Sequence, residues 1–256
     1  MIRAVEESDG QQLEENKLKD ELARVCGALF QYDRVMVVPL NKNILGKKYN
    51  RATVHLKKAD PTLDGIIRQH GQCALKLNRR YFYSLVEAIL SQQLSIKAAT
   101  TIFRRFRELL DGKIESTAIL NLSDEQFRSV GISRQKMGYL RDLSQKWNDG
   151  HINPRRFAKM SDEEVIAALT QVKGIGRWTA EMFLIFCLGR LDVLPVGDLG
   201  FRNAVKRTYG LRRDPTPEKI AQIAEAWRPY RSIATWYFWE SWDNKPIDSG
   251  SRKEGR

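Results

Sequence analysis

Gln171-Val172-Lys173-Gly174-Ile175-Gly176-Arg177-Trp178-Thr179-Ala180, with Leu194-Pro195-Val196-Gly197-Asp198 further along, is the part of this 256-residue chain from which the fold is read. Ser161 to Gln171 has the apolar spacing of one helix and Arg177 to Leu188 that of the next. Two glycines one residue apart permit a tight turn between them, which points backbone N–H groups outward at the start of the second helix. Such a turn grips an anion, and the N–H groups near Gly174 and Gly176, beside Lys173, suit a phosphate. The turn can also gather the carbonyls of Thr170, Val172 and Ile175 around a monovalent cation, either Na+ or K+, which would reinforce the anion site. Alone, a G-x-G also fits an ordinary helix–helix connection, with Asp198 as a simple helix cap.

Composition narrows the choice. Forty-three Lys and Arg against 31 Asp and Glu give a formal charge of +12 and an isoelectric point near 9.7. A polyanionic partner is favoured, because cations on the protein release the counterions of a nucleic acid. Cys26, Cys73 and Cys187 are odd in number and widely spaced, which argues against a disulfide framework, an iron–sulfur cluster or a zinc site and for a reducing compartment. That compartment is the cytoplasm and nucleoid in a prokaryote, or the nucleus in a eukaryote. No apolar run has the length of a membrane span, and the polar start does not read as a secretory signal.

Outward from the hairpin the chain reads as all-α. Arg80 to Gln93 and Ser95 to Leu110 carry helical apolar spacing, with Ser95 as a cap. Ser123-Asp124-Glu125-Gln126 and Ser161-Asp162-Glu163-Glu164 fit the capping box, and Thr216-Pro217-Glu218 is a third clean helix start. Residues 1–59 read as a small N-terminal appendage, with a helix over Glu7 to Phe30 and short strands at Val35 to Val38 and Ala52 to Leu56. Residues 60–245 form the helical core, and 246–256 have the composition of a disordered basic tail.

Asp198 is the candidate catalytic group. At the start of a helical run from Leu199 to Arg207, it is expected to be held ionised by the helix dipole and backbone donors. An ionised carboxylate can stabilise positive charge growing on a deoxyribose ring, much as in glycoside hydrolysis. Asp192 is the nearest competitor. Trp227, Trp236, Trp239 and Trp242 crowd the C-terminal helical pattern, and Trp236 and Trp239 share a face. Large aromatics at that spacing fit a core, or a stacking wall for a base. Basic clusters, among them Arg134 and Lys136, offer phosphate contacts. The three histidines have no ligand or nucleophile-partner spacing.

Four segments in order carry a resemblance: Ile89-Leu90-Ser91-Gln92-Gln93-Leu94-Ser95, Gly131-Ile132-Ser133-Arg134-Gln135-Lys136, the hairpin with Asp198, and Trp227-Arg228-Pro229-Tyr230-Arg231-Ser232. Together they resemble the helix-hairpin-helix DNA glycosylase superfamily, nearest its 3-methyladenine DNA glycosylase II branch. The resemblance implies a two-lobed helical fold with a cleft, one lobe from the middle of the chain and the other from both flanks. It implies a monomer acting on double-stranded DNA that removes alkylated purines such as 3-methyladenine and 7-methylguanine, with no required cofactor. It makes Asp198 the catalytic aspartate, places Trp178, Met182 and Trp239 in the base pocket, and puts Gln93 or Leu94 where relatives insert a wedge. Trp178 stands where bifunctional relatives carry a lysine, which implies monofunctional chemistry with water as nucleophile. Met182 departs from the tyrosine of some members and makes the pocket softer. Two other readings compete: a non-catalytic DNA-binding relative, and a glycosylase for neutral damage such as hypoxanthine or uracil.

Overall fold

A computed structural model of the chain describes residues 42–243. The helix expected over Glu7 to Phe30, the strand at Val35 to Val38 and the tail 246–256 lie outside the described residues. Those described form an all-α fold, without strands.

The flanks of the chain build one lobe. Helices α1 (Lys42–Ala59) and α2 (Pro61–His70) pack with the C-terminal α11 (Leu199–Thr208), α12 (Pro217–Ala224) and α13 (Arg231–Asp243), and a 3-10 turn at Glu225–Trp227 closes against α1. The second lobe comes from the middle: α3 (Tyr81–Ser91), α4 (Ile96–Leu109), α5 (Ser116–Leu120), α6 (Asp124–Ser129) and α7 (Arg134–Asn148), with α7 against α3, α5 and α6. After the short α8 (Pro154–Phe157), the pair α9 (Asp162–Thr170) and α10 (Arg177–Phe183) forms the hairpin, and α10 touches α3.

Local chemistry sets most helix starts. Ser95, Ser123, Ser161 and Thr216 each accept a backbone N–H as caps, and the boxes with Gln126 and Glu164 are complete. One expectation is overturned: Ala52 to Leu56 is part of helix α1, not a strand. Tyr49, Ala52 and Leu56 bury one face at helical spacing while Val54 points outward, so the 3.6-residue period overrides the β-branched residues. These three side chains belong to the same hydrophobic core as α2 and α13. A second difference lies at the end of α10. There Leu184–Leu188 winds as a π-turn, and the Phe186 carbonyl accepts the Asn78 N–H at 2.8 Å.

Asp60 ties the flank lobe together. It caps α2 by accepting the N–H groups of Thr62 and Leu63, and its other oxygen accepts the Trp227 indole N–H at 2.8 Å and the Tyr209 hydroxyl. The side chain is buried between segments more than a hundred residues apart in sequence. Asp60→Ala therefore loses a cap and leaves a buried indole donor unpaired, and the expected loss of stability is about 2–4 kcal/mol. Urea unfolding followed by tryptophan fluorescence measures it.

Candidate active site

The hairpin turn is fixed by a ring. Gly174 has φ +82°, and a Cβ there would lie 2.2 Å from Cδ2 of Tyr139, so this position admits only glycine. Gly176 differs: its φ is an ordinary −91°, it caps α10 with no side-chain bond, and the space where a Cβ would stand is open. The open approach to the N–H groups of α10 is thus at Gly176, while Gly174 serves the packing beneath. Lys173 is exposed, and its backbone N–H donates to Asp142 Oδ2 at 2.9 Å. Arg177, though exposed, is spent on the hairpin's own acids, pairing with Glu163 on α9 and with the buried Glu181 at 3.0 Å.

Asp198 caps α11 from a position only 4% exposed. Its Oδ1 accepts the Phe201 N–H at 2.6 Å and the Trp239 indole N–H at 3.0 Å, and its Oδ2 accepts the Trp178 indole N–H at 2.9 Å. Burial pushes the carboxyl pKa up; the donors from Trp239, Phe201 and Trp178 pull it down and do not fully offset burial. This corrects the expectation from the helix terminus alone, which left out the cost of desolvation. All three hydrogen bonds are donated to the carboxyl oxygens, so the surroundings are arranged for the anion.

The aromatic residues divide by role. Trp178 is partly exposed beside Asp198, and Trp239 is 7% exposed and stacks on Phe186 with ring centroids 5.5 Å apart. Met182 is fully buried in the core and offers no surface in this state. Trp236 is buried against Tyr237, and Trp227 is committed to Asp60. Asp192, the competitor to Asp198, is held by Arg231 at 2.8 Å and Arg228 at 2.9 Å. Those bonds, with the Ser232 hydroxyl accepting the Val193 N–H at 2.9 Å and the Ser232 N–H donating to the Leu191 carbonyl at 2.9 Å, brace the loop that leads to Asp198. The sequence quoted Arg231 and Ser232 only as a signature; their bracing role is a structural finding. A separate cavity of about 240 Å³ is lined by Arg177, Glu181, Asp192 and Arg231, and Asp198 is not part of its wall.

The remaining sequence candidates sit near the end of α3. Gln93 is exposed with φ +56°, and Leu94 is half-buried. Arg134 is exposed at the first turn of α7. Lys136 instead turns inward and donates to the carbonyls of Leu90 at 2.6 Å and Gln92 at 2.7 Å, and burial pulls its ammonium pKa down to about 8. Gln92, to which the sequence assigns no role beyond its place in the Ile89 to Ser95 segment, donates its side-chain amide to the Gly174 carbonyl at 2.7 Å. Among the described residues no His, Cys, Asp and Glu group has the arrangement of a metal site.

This arrangement has known counterparts. The family described as HhH-GPD superfamily base excision DNA repair protein matches residues 86–229. The chain belongs to that superfamily. It is 35% identical to DNA-3-methyladenine glycosylase 1 of Schizosaccharomyces pombe over 199 residues, which cover 75% of this chain and 86% of the yeast protein. The crystal structure of DNA-3-methyladenine glycosidase from Bacillus halodurans superimposes with a TM-score of 0.69 at 36% identity, covering 74% of this chain and 88% of that one. The Schizosaccharomyces pombe 3-methyladenine DNA glycosylase in complex with abasic DNA gives 0.66 at 35% identity, over 75% and 96%.

Within this HhH-GPD fold the two hairpin glycines carry different burdens, and substitution separates them. Gly174→Ala meets both a left-handed backbone and the Tyr139 ring and is expected to cost about 2 kcal/mol or more. Gly176→Ala is expected to stay within about 1 kcal/mol of the parent. Thermal unfolding of the two variants side by side checks the contrast.

Proposed function

We propose that this chain is a monofunctional DNA glycosylase that flips alkylated purines such as 3-methyladenine and 7-methylguanine out of duplex DNA and hydrolyses their N-glycosidic bond. The observation that carries the reading is the buried Asp198 carboxylate, held by two indole N–H groups and a helix N-terminus. The two Schizosaccharomyces pombe matches named for 3-methyladenine DNA glycosylase, each at 35% identity, support it.

The hairpin around Lys173, Gly174 and Gly176, with Arg134, holds the phosphate backbone. The loop at Gln93 and Leu94 enters the duplex, and the displaced purine is received beside Trp178 and Trp239. N3- or N7-alkylated purines carry a positive charge and leave as neutral bases, so no protonation of the leaving group is needed. As the glycosidic bond breaks, positive charge grows on the sugar, and Asp198 stabilises it at close range in a site with little water. A water molecule adds to the anomeric carbon and releases a proton to solvent, giving an abasic site and a free base. Trp178 has no amine with which to attack the sugar, so no Schiff base forms. At the hairpin, the carbonyls of Thr170, Val172 and Ile175 are proposed to hold Na+ or K+; Val172 O accepts the Ile175 N–H and keeps a second lone pair for the ion.

Two outcomes test the reading. Asp198→Asn should lose roughly two or more decades of single-turnover excision while still binding duplex DNA. Borohydride added during turnover by the parent enzyme should trap no covalent adduct; an efficient adduct would overturn the monofunctional assignment. Base release is measured by chromatography of alkylated DNA, and adducts by denaturing gels.

The electrostatics add a pH test. Since catalysis needs the anion and burial raises the Asp198 pKa, excision should fall as pH decreases, with an acid limb above the ordinary carboxylate range. The Trp239 N–H pulls that pKa down, so Trp239→Phe should move the limb to still higher pH. Single-turnover rates across a pH series decide; an unmoved limb would assign the titration to another group.

A further inference from the structure

One stripe of helix α7 holds both elements that the proposed function places on DNA. Lys136 donates to the carbonyls of Leu90 and Gln92 at the loop after α3. Tyr139, one turn on, lies against Gly174, and its hydroxyl accepts the Gln135 amide at 2.7 Å. Asp142 accepts the Lys173 N–H at 2.9 Å and is itself held by Lys146 at 2.6 Å. Gln92 closes the ring by donating to the Gly174 carbonyl at 2.7 Å. The exposed Gln93, with its φ of +56°, therefore follows directly on an anchored neighbour, Gln92. A left-handed non-glycine residue persists where its surroundings hold it in place.

We infer that Lys136 and Gln92 are positioning residues that lock the Gln93–Leu94 loop to the hairpin, so that phosphate capture and insertion into the duplex occur as one rigid-body event. Two of the three N–H donors of Lys136 are spent on backbone carbonyls, which is the bonding of a strut. Without the strut, the hairpin still captures phosphate, but the loop no longer arrives at a fixed height, and the cost of unstacking the base is not met. The inference rests on the proposed function, since it takes the loop as the inserting element.

The test separates insertion from chemistry. Lys136→Met keeps the aliphatic stem and removes the donors, Lys136→Arg restores donors to the two carbonyls, and Gln92→Ala removes the link to Gly174 from a half-buried loop. Single-turnover excision of 7-methylguanine is measured opposite cytosine, and again opposite an abasic-site analogue, where little unpairing is required. Lys136→Met and Gln92→Ala should lose about tenfold or more on the paired lesion and far less on the unpaired one, with recovery in Lys136→Arg. Loss of equal size on both substrates, or no loss on either, would overturn the inference. Fluorescence of 2-aminopurine placed at the lesion position and paired with thymine gives a second readout without chemistry: it should rise when the parent binds and stay low with Lys136→Met at saturating protein. A rise as large as the parent's would also overturn it. If the parent releases no alkylated base at all, the proposed function fails, while the fluorescence comparison still tests the strut. If Lys136→Met proves poorly folded by circular dichroism, Gln92→Ala carries both comparisons.

Discussion

Desolvation of the Asp198 carboxylate is the constraint around which the site is organised. A buried anion without partners is prohibitively costly, and burial raises its pKa toward the neutral acid. The fold answers with three N–H donors from three places: the Trp178 indole on α10, the Phe201 amide in the first turn of α11 and the Trp239 indole on α13. Any one helix alone would leave the carboxylate under-satisfied. Their convergence also explains why tryptophan is suited to these positions: it supplies a donor and a broad apolar face in one side chain. The same dryness that makes the anion expensive makes its field strong at short range, which is what a developing sugar cation requires.

Placing that carboxylate requires an irregular segment between α10 and α11 to be held still. Helix α13 does this at its start, where Arg231 grips Asp192 and Ser232 bonds both Val193 and Leu191. About two turns along the same helix, Trp239 reaches Asp198 itself. One rigid element thus braces the loop and supplies a donor to its end, so the carboxylate and its indole partner are positioned by a shared support. Precision of this kind is what a charge-stabilising site needs, since its effect depends on not having to reorganise.

Much of this was legible in the sequence where the chemistry is local. The capping boxes at Ser123 and Ser161 act over three residues and could be read directly, and so could Asp198 as the start of α11. The Ala52 to Leu56 segment was misread because its β-branched residues suggested a strand, while the deciding signal was the Tyr49, Ala52 and Leu56 spacing that buries one helix face. Long-range partners were out of reach. Nothing near Asp60 announces a bond to Trp227, and nothing in the Lys136 cluster distinguishes a residue facing phosphate from one turned onto the carbonyls of Leu90 and Gln92. The raised Asp198 pKa was missed for the same reason: helix-terminus electrostatics is local, but burial belongs to the whole fold.

The net charge of +12 is therefore a poor count of groups that meet a polyanion. Arg177 is paired with Glu163 and Glu181, Arg228 and Arg231 with Asp192, Lys206 with Asp214, and Arg190 donates to the carbonyls of Phe157 and Met160. Such groups still contribute to the long-range field that steers the protein toward DNA, because steering depends on summed charge. Close contact depends instead on donors facing outward without rearrangement, as the exposed Lys173 and Arg134 do, and on backbone N–H groups with an open approach, as at Gly176. The basic composition thus serves two ends in different proportions. Part of it holds helices and loops in the geometry around Asp198, and exposed groups such as Lys173 remain outward at the hairpin, where on the proposed reading a phosphate would meet backbone N–H groups and a lysine together.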